Sequence, residues 1–247
     1  MGLFDYFSKE AATERKRERC RKKLTNMYYQ KADRLASAEG AYELAREGDI
    51  ESIRVLLARF EHLCPSHTID REEKEYVVEL LVSLEDPAVE QIVDYCRKTA
   101  KGIYWPIQVL EELWPHEKVS DFLAEILEAT DTDYWRDPEK KVGLVQLAGE
   151  HESERVGLAL LPFVEDHSEE VRFTAVDNIL NRNIEGTHGK LLPRLAGEEE
   201  SLRIVNRIAN GFADKGWSVG DRADEVKPRL PAALEITPKN HLRRRPG

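Results

Sequence analysis

Leu160-Leu161-Pro162-Phe163-Val164-Glu165-Asp166 places apolar residues at i, i+1 and i+4 of a helix and then stops. The same seam returns at Leu56-Leu57-Ala58-Arg59-Phe60, Leu80-Leu81-Val82-Ser83-Leu84, Val109-Leu110-Glu111-Glu112-Leu113 and Leu191-Leu192-Pro193-Arg194-Leu195. A unit of this size that keeps returning implies helices stacked on near-copies of themselves. The pattern predicts an all-α chain, an α-solenoid of about six stacked helix pairs spaced roughly 24–34 residues apart. The expected hand is right-handed. Three segments follow: a basic N-terminal helix or cap over 1–34, a repeat domain over 35–214, and an extended C-terminal tail over 215–247.

The punctuation between seams supports helices. Asp86-Pro87, Trp105-Pro106 and Asp137-Pro138 open helices with proline in the first turn, where its missing N–H costs nothing. Asp49, Ser153 and Ser168 read as N-caps, and Asp70 with Glu73 reads as a capping-box start. Residues 9–35 read as one charged helix with Cys20, Leu24, Tyr28 and Ala32 stepping down one face. From Gly216 the prolines Pro228, Pro231 and Pro238 exclude a long helix, although Leu234–Ile236 and His241–Arg243 could form a small hairpin.

Charge is unevenly placed. Residues 9–34 carry +6, residues 239–247 carry +4 and residues 1–8 carry −1, so within a total of −10 the body over 35–238 carries −19. An acidic body argues against nucleic acid lying along it and favours a basic partner. The three cysteines, Cys20, Cys64 and Cys96, are odd in number and widely spaced. With no secretory h-region in Met1–Phe7, they point to a reducing, cytoplasmic compartment. No apolar run is long enough to span a membrane.

The stretch Leu160–Val176, with Asp166 after the first helix, Val171-Arg172 opening the second and Ala175 following, resembles a HEAT repeat. The resemblance implies that Asp166 and Arg172 support neighbouring repeats. Leu191–Ile204 is similar to a degraded copy, with Arg203 in the arginine place and no aspartate. Asp86-Pro87-Ala88-Val89 is similar to another, with Glu90 in that place. Such repeats serve scaffolds, adaptors, a few lyases and some DNA glycosylases.

The candidate sites are few. His62, Cys64 and His67 lack a fourth ligand and a second knuckle, so they read as a loop. Asp131, Asp133 and Asp137 suggest calcium, but Trp135 and Arg136 occupy the places where a calcium loop needs an oxygen ligand and a glycine. Neither a metal nor a cofactor is expected. The runs Glu111-Glu112, Glu169-Glu170 and Glu198-Glu199-Glu200 read as solvated faces or first-turn dipole partners. Trp105 and Trp114 read as core. Tyr134, Trp135 and Arg136 lie in an expected loop and read as an exposed contact. Arg15, Arg19 and Lys22, following Leu3, Phe4, Tyr6 and Phe7, form a basic helix that an anionic membrane or nucleic acid could engage. The competing reading has Leu3–Phe7 covering the first repeat's apolar edge. The leading expectation is a non-enzymatic protein-binding scaffold with an acidic surface. The alternatives are a HEAT-like nucleobase glycosylase and a peripheral membrane or nucleic-acid adaptor working through the basic ends.

Overall fold

The computed structural model of the chain describes residues 3–99, 102–182 and 184–245, the first seven by backbone alone. The chain is mostly helical and forms two compact units, Met1–Val119 and Ser120–Gly247. Leu3, Phe4, Tyr6 and Phe7 lie outside the described side chains.

In the first unit α1 (Leu3–Leu24), α2 (Lys31–Arg46), α3 (Glu51–Ala58), α4 (His67–Val82), α5 (Asp86–Lys98) and α6 (Tyr104–Leu113) follow in order. Each of α1 to α4 packs on the helix after next: α1 on α3, α2 on α4, α3 on α5, α4 on α6. The recurring seam is the reason. Leu56, Leu57, Leu81, Val109 and Leu110 are fully buried, and each seam supplies an apolar edge that only another helix can cover. Small residues set the closest approach: a Cβ on Gly40 would stand 3.1 Å from Cys20 Sγ, so α2 can lie directly against α1.

Several boundaries differ from the sequence reading. The helix expected over 9–35 is two helices, because Asn26 Oδ1 accepts the Tyr28 N–H at 3.0 Å and turns the chain after Leu24. Tyr28 consequently leaves the apolar face and is 99 % exposed. Asp49 does not cap α3 with its side chain: its carbonyl accepts the Ser52 N–H at 2.9 Å, while its carboxylate takes the Ser52 hydroxyl at 2.5 Å and Arg17 at 2.6 Å. Asp70 and Glu73 do not open α4 either. Ser66 caps that helix, and the two acids lie buried inside it. Gly48, at φ 98°, ends α2 in the left-handed conformation that glycine adopts without strain.

The second unit continues with α7 (His116–Glu128, begun in the first), α8 (Glu139–Ala148), α9 (Glu154–Leu160), α10 (Glu169–Leu180), α11 (Thr187–Pro193) and α12 (Leu202–Lys215). Helix α10 is central, packing on α8, α9, α11 and α12. Ser153 and Ser168 cap α9 and α10 by accepting the Val156 and Val171 amides. Gly216, at φ 62°, closes α12, and the Trp217 N–H returns to Phe212 O at 2.9 Å. The tail then forms short helical turns over 220–229 and an antiparallel hairpin of β1 (Leu234–Ile236) and β2 (Leu242–Arg244). Val219, Val226, Leu234 and Leu242 are buried, and the hairpin packs on α12.

Candidate binding surface

Buried charge organises the loops of both units. In the first, Arg34 donates to Glu73 at 2.6 and 3.0 Å, and Arg59 donates to Glu73 and to Asp70 at 2.8 Å. Lys74 pairs with Asp70 at 2.8 Å. All five side chains are buried. Burial works to raise the Asp70 carboxyl, but Lys74 and Arg59 outweigh it and hold Asp70 below the usual range. The same groups fasten backbone: Arg34 donates to the Met27 and Tyr29 carbonyls, Arg59 to His62 O at 2.7 Å, and the Cys64 amide to Asp70 at 2.9 Å. The two loops held this way present Tyr28 and Leu63 to solvent.

The second unit repeats the device in series. Lys141 reaches Asp166 at 2.9 Å, Asp131 at 3.5 Å and Asp133 O at 2.6 Å. Arg172 accompanies it one helix pair later, donating to Asp166 O at 2.9 Å and to both Glu199 oxygens at 2.9 and 3.0 Å. Arg194 meets Glu199 at 2.5 Å, while Arg229 from the tail donates to the Glu199 carbonyl. The local geometry is duplicated: Asp166 accepts the Ser168 amide at 2.8 Å, and Glu199 accepts the Ser201 amide at 3.0 Å. Glu199 is therefore not a solvated member of its charge run. It is fully buried, and although burial pushes its carboxyl up, Arg172 and Arg194 bring it down to about 2. Residues 191–204, read from sequence as having no acid in the place of Asp166, thus supply Glu199 in a matching local geometry. Arg203, assigned there the arginine place, is half-exposed, pairs with Glu170 at 3.1 Å and covers the Phe173 ring at 3.5 Å.

The ladder holds the loop over 129–138 against the next pair, where the His167 amide donates to Thr132 O at 3.2 Å. Within this loop Trp135 is not a free contact. Its indole N–H donates to Asp131 at 2.9 Å, and Lys141 Nζ lies 4.7 Å from its ring centre. The indole, with the Asp133 amide and Lys141 behind it, lowers the Asp131 carboxyl. Tyr134, 73 % exposed, and Arg136 stand outward beside it. Next to the loop is a hollow of about 600 Å³ whose lining joins the apolar Leu158, Ala159, Pro162 and Phe163 on one side to the loop residues Asp131, Thr132 and Asp133, with Glu128, on the other. Leu158 is 46 % exposed, although it belongs to a helix whose other apolar residues are buried. Arg155 engages Glu128 at 2.8 Å and keeps its carboxyl ionised below the usual range.

Arg15, Arg19 and Lys22 are exposed on α1, away from this hollow's residues in sequence. Trp105 is half-buried, stacking on Phe60 at 6.4 Å. Sequence reasoning missed Lys141, Glu199, Arg194, Leu158 and the hollow. The one legible signal was the shared spacing of Asp166 to Ser168 and Glu199 to Ser201. Among the described residues no group of three or more His, Cys, Asp and Glu stands ready to hold a metal ion, and no helix is long and apolar enough to cross a membrane. Comparison with family models, curated proteins and solved structures found no match.

Proposed function

We propose that the protein is a non-enzymatic, cytoplasmic adaptor of HEAT-like, right-handed solenoid build, and that the hollow beside residues 129–138 takes a basic, apolar-anchored peptide segment of a partner protein. The next-but-one helix contacts and the Asp166–Arg172–Glu199 ladder support the solenoid reading. Three cysteines without a disulfide suit a reducing compartment. The single observation that carries the function is the hollow itself, an apolar side joined to carboxylates on a loop fixed by buried ion pairs. An apolar anchor would bury Leu158, and Asp133, the lining carboxylate not already engaged by Arg155 or Lys141, would select a lysine or arginine beside it. A fixed loop loses little entropy on binding. The same carboxylates repel phosphate, so the hollow gives no support to a glycosylase reading.

Fluorescence anisotropy of the intact protein with labelled Lys/Arg/Leu peptides, against Asp/Glu/Leu peptides of equal length, tests this. The basic set should bind, and Asp133→Lys and Leu158→Asp should each weaken it about tenfold. Equal binding of both sets, or unchanged affinity in both variants, overturns the proposal.

A further inference from the structure

The seven cations over 15–23 of α1 fall into groups once their neighbours are in place. Lys16 pairs with Glu43 at 3.4 Å, Arg17 with Asp49 at 2.6 Å and Lys23 with Asp33 at 3.5 Å. These three face α2 and the turn after it, where the fold supplies a carboxylate for each. Arg21 lies on the flank of Glu14, and Glu18 stands between that flank and Lys22. Arg15, Arg19 and Lys22 are different: they are exposed, and among the described residues no carboxylate lies within ion-pair distance. Steps of four and three residues put them on one stripe of the helix, spanning about 10 Å along its axis.

We propose that this stripe seats the protein on an anionic membrane surface. Three exposed cations on one helix face, with Glu18 the acidic side chain bordering them, match a layer of acidic headgroups, and the acidic body does not prevent the approach, because its field is screened within about 8 Å at physiological salt. The sequence of the same helix ahead of the stripe, Leu3-Phe4-Asp5-Tyr6-Phe7, favours lipid over nucleic acid: a basic helix that also carries aromatic and aliphatic residues suits the headgroup boundary, whereas a phosphate backbone asks only for the charges. The inference is independent of the hollow, and an Asp133→Lys variant should bind vesicles at least as well as the parent protein.

The test is co-sedimentation of the full chain with vesicles of phosphatidylcholine alone and of phosphatidylcholine mixed with phosphatidylserine. Binding should require phosphatidylserine and weaken with salt. The triple variant Arg15→Gln, Arg19→Gln, Lys22→Gln should lose about 100-fold in partitioning, from about fivefold per cation. Phe4→Ser with Phe7→Ser, which leaves the charges in place, should weaken binding separately. Circular dichroism confirms that the variants keep their helix content. Full binding by the triple variant, equal binding to neutral vesicles, or no vesicle binding while the same three residues retain an oligonucleotide overturns the proposal.

Discussion

Replacing Glu199 with glutamine keeps its shape and removes its charge. In the folded chain this carboxylate is fully buried and accepts from Arg172 through both oxygens at 2.9 and 3.0 Å, from Arg194 at 2.5 Å and from the Ser201 amide at 3.0 Å. Two routes give the size of the effect. Breaking one partner out of a buried pair costs about 3–5 kcal/mol, and the lower end applies because Arg172 keeps its bonds to the Asp166 and His167 carbonyls. Independently, a carboxyl brought from 4.5 to about 2 contributes about 3 kcal/mol of linkage. Its pKa is depressed in the folded state, so the contribution is complete above about 4.5, shrinks as pH falls and is gone below about 2. The assay is urea denaturation of the parent protein and Glu199→Gln across this range, with hydrogen exchange on α10 and α12 locating the transition. The variant should be about 3 kcal/mol less stable at neutral pH, and the gap should close through the acid window. A variant within about 0.5 kcal/mol of the parent at neutral pH, or a gap that ignores pH, refutes the reasoning.

Lys141→Met should cost about 3 kcal/mol by stranding the buried Asp166, and adding Asp166→Asn should recover part of that loss; equal stability of the single and double variants in urea would count against the ladder. Gly211→Ala should lose about 1–3 kcal/mol in thermal unfolding, because the added Cβ would stand 2.5 Å from Leu180 Cδ2 where α12 rests on α10. An unchanged midpoint would mean that these two helices do not meet closely.

The helices were legible because each seam is a local pattern, read within one turn. Leu56, Leu81, Leu110, Leu160 and Leu191 are all fully buried, and Ser153 and Ser168 cap where their spacing places them. What escaped depends on residues brought together by folding. Glu199 looks like one acid among three until Arg172, from another helix pair, reaches it. Lys141 looks like a solvated lysine of Lys140-Lys141 until Asp166 and Trp135 enclose it. Asp70 and Glu73 have capping-box spacing, and spacing alone does not show that Arg34 and Arg59 claim both carboxylates. Tyr28 continues a four-residue rhythm that a single Asn26 turn ends. Leu158 reads as core, since its exposure is decided by what leaves it uncovered rather than by its own neighbours in sequence.

Hydrogen exchange on the intact protein, with and without the Lys/Arg/Leu peptide pool, tests the adaptor reading most directly. Added protection is expected over 127–133 and 158–163, absent with the Asp/Glu/Leu pool and lost in Leu158→Asp. Protection confined to other segments, or no protection by the basic pool at concentrations that saturate an anisotropy signal, would contradict it.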